Sequence, residues 1–136
     1  MRKVSAVLLL IAAVLLLVVA GCGGDDDESA EESATPAEAV AEIEEIKTLL
    51  ATAVQQVRDG DQDAAEKTVG DAYLEHFEEV EGPLGERDHE FMEELEEAIS
   101  TDLRNDIKDG KSADEIQAEV DEIDADLDRA VELLQG

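Results

Sequence analysis

Four stretches of this chain repeat apolar residues every three or four positions, and each is bounded by residues that start or stop helices. Such spacing lays one apolar stripe along a helix. Most of the stability of such a helix comes from packing its stripe against a partner. In the first stretch the stripe is Val40, Ile43, Ile46, Leu50, Val54 and Val57. It opens at Thr35-Pro36-Ala37-Glu38, a capping box with proline at the first helical position, and Gly60 ends it. The second can be capped by Asp61 and runs to about Glu81, with Ala65, Val69, Ala72, Tyr73, Phe77 and Val80 as its stripe. Gly70 inside it costs about 1 kcal/mol relative to alanine. Gly82-Pro83-Leu84-Gly85 reads as the clearest break in the chain, because proline lacks the N–H a continuing helix needs. The third runs from about Asp88 to Asp109 on Phe91, Met92, Leu95, Ile99, Leu103 and Ile107, with Gly110 as its C-terminal cap. A second capping box, Ser112-Ala113-Asp114-Glu115, opens the fourth, whose seam is Ile116, Val120, Ile123, Leu127, Val131 and Leu134. Short connections between four such helices predict an all-α, antiparallel four-helix bundle over residues 35–136. No segment alternates as a strand does. With one Tyr, two Phe and no Trp, the core must be aliphatic.

The first 34 residues differ from the rest. Arg2 and Lys3 precede an apolar run from Val4 to Ala20, and Ala20-Gly21 leads into Cys22, the only cysteine. This resembles a bacterial lipoprotein signal, in which the cysteine is acylated and becomes the first mature residue. The resemblance implies a signal peptide over residues 1–21 and a location on the extracytoplasmic face of the cell membrane, anchored by lipid. More than one acyl chain would be needed, since a single chain binds only marginally. An ordinary secretory signal has the same charged start and small residues near cleavage. A retained anchor needs roughly 17–25 apolar residues, and this run is at the short end. The position of Cys22 favours the lipoprotein reading, and it leaves no cysteine for a disulfide. Residues 22–34 carry acidic, serine and small residues, cannot build a core, and read as a flexible acidic tether.

Charge narrows the partners. The chain holds 38 acidic and 10 basic residues, a formal charge of −28. Removing residues 1–21 takes away Arg2 and Lys3 and leaves 115 residues at −30. Nucleic-acid binding depends on Lys and Arg neutralising phosphates, so it is excluded as a function class. Anionic lipid is disfavoured too, leaving the membrane contact to the acyl anchor. Cations and basic protein surfaces fit the charge, as does a general acidic bias that keeps the protein soluble.

Chemistry concentrates around the junction of the second and third helices. Tyr73, Phe77, Phe91, His76 and His89 flank it among many carboxylates. Oxygen-rich sets with a histidine suit iron, manganese or calcium. Glu78 and Glu81 are three apart and share a helix face. Glu-x-x-His does not recur in useful phase on two helices, so a buried di-iron centre is not expected. In so acidic a chain these spacings also describe a plain solvated face, and the aromatics at helical spacing also describe core. No Ser/His/Asp or Cys/His arrangement and no Gly-rich phosphate loop is legible, so an enzyme is not expected.

The run from Asp71 to Gly82, Asp-Ala-Tyr-Leu-Glu-His-Phe-Glu-Glu-Val-Glu-Gly, resembles a segment in the extracytoplasmic helical domain of bacterial high-affinity iron permeases. Those domains carry a Tyr, then Phe-Glu, then a Glu beside a Gly, and further on a Leu-Arg pair, an Ile and a helix-ending Gly. Here the later residues are Leu103-Arg104, Ile107 and Gly110, and the likeness spans roughly residues 65–134. The resemblance implies Glu78 and Glu81 as the iron-touching carboxylates, with Tyr73 and His76 nearby and Phe77, Arg104 and Gly110 as structural parts of the motif. In this chain Gly82 follows Glu81 instead of preceding it. The permease's Arg-Glu-x-x-Glu motifs are absent from the sequence, so transport by this chain alone is not expected.

The expected function is therefore an accessory module of iron uptake, membrane-tethered, that binds or relays iron or docks on a permease or another envelope protein. The alternative is a non-enzymatic acidic helical protein that binds a basic protein or peptide. Either way, like charges one turn apart, such as Asp124 with Asp128 and Glu115 with Glu119, repel in water and are screened by ions. Thermal melts of residues 35–136 should show Tm rising with sodium chloride and with divalent cations. A Tm insensitive to salt would show that self-repulsion does not limit stability.

Overall fold

The computed structural model describes residues 34–136; the signal peptide, Cys22 and the rest of the tether lie outside them. The described residues form four helices and no strand. We call them α1 (Pro36–Arg58), α2 (residues 62–85), α3 (residues 89–108) and α4 (Ala113–Gln135). They run up and down in turn. Each packs on its sequence neighbours, and α1 closes the ring against α4.

The ends form as the sequence dictates. Thr35 and Ser112 each accept from the backbone N–H three residues on, and Glu38 and Glu115 reach back to complete both capping boxes. Asp61 and Asp88 cap α2 and α3 in the same way, accepting from Ala64 N and Phe91 N. At the far end of α1, Asp61 N donates to Gln56 O at 2.9 Å and Gly60 N to Val57 O at 3.0 Å. Lys111 N to Asp106 O and Gly110 N to Ile107 O, both 3.1 Å, repeat that motif after α3. It needs a left-handed residue, which Gly60 (φ 83°) and Gly110 (φ 77°) supply.

The expected break at Gly82-Pro83-Leu84-Gly85 is not where α2 ends. Helical structure continues to Gly85, with Pro83 inside its last turns. Interior proline costs about 3 kcal/mol or more. Val80, Pro83 and Leu84 are all buried, and full burial of a large aliphatic side chain returns about 1.5–3 kcal/mol. Packing thus outweighs the lost hydrogen bond. The turn falls instead at 86–88, where Leu84 O accepts from both Arg87 N and Asp88 N at 2.9 Å.

The core is wholly apolar: among the described residues no polar or charged residue is buried. Its spacing separates the helices into two kinds. Ala39, Ile43, Ile46, Leu50, Ala53 and Val57 on α1, and Ile116, Val120, Ile123, Leu127, Ala130 and Leu134 on α4, alternate steps of four and three. That is a heptad seam. Ala39 and Ala130 occupy seam positions, while Val40 and Val131 sit half-buried beside them. On α2 the buried positions step by five between Ala72 and Phe77, and on α3 Leu95, Ile99, Leu103 and Ile107 step by four three times. At 3.6 residues per turn, each step of four drifts by about 40°. Both helices take up the drift in a wider turn with i→i+5 hydrogen bonding, at Ala72–Phe77 and at Ala98–Leu103.

Phe77, with none of its surface exposed, is the largest fully buried side chain. Phe77→Ala should cost about 3–5 kcal/mol, from lost transfer energy plus the cavity left behind. Chemical denaturation checks this, with Phe77→Leu expected to cost less. A smaller loss for alanine than for leucine would mean the site collapses around the cavity.

Candidate functional site

The wide turn of α2 delivers Tyr73 half-buried to the α2–α3 seam, its ring stacked on Phe77 with centroids 6.2 Å apart. Its hydroxyl donates to Glu96 Oε1 on α3 at 3.0 Å. Burial first, then this hydrogen bond, then the charges of Glu81, Glu96 and Glu78, push the Tyr73 phenol up to about 12. Glu81 is half-buried. Burial, then the neighbouring Glu96 and Glu78, raise its carboxyl above the ordinary range, against a smaller opposing effect of the nearby Tyr73 hydroxyl. A phenol has one proton to give, and Glu96 takes it. Glu81 Oε1 is left buried with no hydrogen-bond partner among the described residues. Tyr73, Glu78 and Glu81, singled out from the sequence, thus influence one another electrostatically, and Glu96 from α3 joins them.

The other predicted residues go elsewhere. His76 Nδ1 lies 2.6 Å from Glu42 Oε2, so this histidine faces α1 while Tyr73 faces α3. His89 is exposed, 3.4 Å from Glu93 on its own helix. Arg104 fastens α2 to α3: its guanidinium is 3.2 Å from Glu66 Oε1, and Lys108 Nζ reaches the same oxygen at 2.9 Å. Gly70 lies beneath that guanidinium, where an added Cβ would be 3.7 Å from Cζ. Phe77 is core and Gly110 is a turn. Glu78 is exposed. Among the described residues, no three His, Cys, Asp or Glu side chains converge as a group that could hold a metal ion.

A second acidic region was not singled out from the sequence. A cleft of about 530 Å³ opens between α3 and α4, lined by Asp102, Asp106, Glu115, Glu119, Glu122 and Asp126 with Lys111 among them. The α4 acids recur at four, three and four, a signal of one shared face, but only the antiparallel packing of α3 brings Asp102 and Asp106 opposite them. Asp106 and Glu119 both line this cleft, and each carboxyl affects the other's titration. Lys111, then Glu119, hold the Asp106 carboxyl below its usual range. Burial, then the neighbouring Asp106 carboxyl, push Glu119 up to about 7.

Compared with known proteins, the chain matches no family model, no curated protein and no solved structure.

The raised Glu119 carboxyl sets a pH dependence. A carboxyl raised in the folded state contributes stability that is fully present below its unfolded value and is lost as pH rises through its folded value. For Glu119 that window runs from about 4.5 to about 7. Stability should therefore decline across it with rising pH, and Glu119→Gln, which cannot titrate, should flatten the decline. Denaturant midpoints measured from about pH 5 to about pH 8 test this. Equal slopes in both proteins would show that Glu119 does not carry the effect.

Proposed function

We propose that this chain is a membrane-tethered extracytoplasmic lipoprotein that serves iron uptake, capturing or relaying iron through oxygen ligands at the α2–α3 seam. The observation that carries the reading is the grouping of Tyr73, Glu78, Glu81 and Glu96, with one Glu81 oxygen buried and lacking a donor. Carboxylate and phenol oxygens are hard donors, suited to iron over soft metals. A bound cation would also relieve the repulsion from Glu96 and Glu78 that adds to burial in raising Glu81. The side chains do not form a ready-made centre, so the site assembles around the ion, with the exposed Glu78 turning in to join it. The likeness of Asp71–Gly82 to the iron-permease domain supports the same cargo. It also suggests a permease or another envelope protein as the acceptor.

A second reading, binding of a basic protein or peptide, is favoured by the six carboxylates of the α3–α4 cleft. Leu74 is the one large apolar residue exposed among the described residues, so such a partner would be held by charge rather than by an apolar stripe.

The core of the described residues lies within 39–134, so the bundle from residue 35 suits calorimetry. Titration with iron, manganese and calcium at physiological salt should give micromolar or tighter iron binding, about −8 kcal/mol. Glu78→Gln with Glu81→Gln should abolish it, and Tyr73→Phe should weaken it. Millimolar binding, equal for all three cations and unchanged in the variants, would overturn the iron reading. In the full chain, Cys22→Ser should move the protein from the membrane fraction to the soluble fraction or leave it unprocessed. Unaltered processing and membrane association would sink the lipid anchor.

A further inference from the structure

We draw no further inference here: the strongest candidate, the acid-lined cleft between α3 and α4 around Asp106 and Glu119, is a cluster of carboxylates, and no observation on the described residues independent of that cluster points to a ligand.

Discussion

Everything in this bundle depends on separating charge from core. Four helices meet on aliphatic side chains with no buried polar residue among those described, and the carboxylates lie on the outside or, like Glu81, Glu119 and Asp124, half-buried at the helix seams. Repulsion between those acids favours the open chain, while hydrophobic burial favours the closed one. Five of the eight Lys and Arg side chains among the described residues reach from one helix to another or to its cap. Lys47 with Asp128 and Arg58 with Gln117 join α1 to α4. Arg104 and Lys108 join α3 to α2 through Glu66. Arg129 reaches from α4 to Asp88 and lies 4.0 Å above the Phe91 ring at the start of α3. Exposed pairs of this kind contribute little singly, so the apolar seams decide which helix faces which.

The two wide turns make α2 and α3 a different pair from α1 and α4. A regular seam fixes a helix face along its whole length. An i→i+5 turn rotates everything beyond it, so residues on either side of 72–77 and 98–103 are aimed independently. Tyr73 and His76 both lie inside the first of these turns, and they end on opposite flanks of α2. Glu96 lies just ahead of the second.

Much of this fold was legible in the sequence because its signals are local. Both capping boxes, the Asp61 and Asp88 caps and the turns at Gly60 and Gly110 depend on side chains within a few residues of the backbone they satisfy. The end of α2 was misread for the opposite reason. Pro83 announces a break locally, but the burial of Val80, Pro83 and Leu84 is a property of the assembled core. The wide turns were present as runs of four and five in the apolar spacing, a pattern easily mistaken for ordinary amphipathicity. The candidate site divides along the same line. Tyr73, Glu78 and Glu81 share one helix and could be named together. Glu96, the Glu42 partner of His76, and the pairing of Asp106 with Glu119 join residues far apart in sequence, and only packing reveals them.

The up-and-down order of the helices has a spatial corollary. The start of α1, the 86–88 turn and the end of α4 share one end of the bundle, and the 59–61 and 109–112 connections share the other. Glu81 lies towards the first end, and Asp106, Lys111 and Glu115 lie towards the second. A 23-residue helix such as α1 is about 35 Å long. Residue 34 therefore lies at the end that Glu81 approaches, a helix length away from Lys111 and Glu115. Glu81 and Glu115 therefore stand at opposite poles of the bundle.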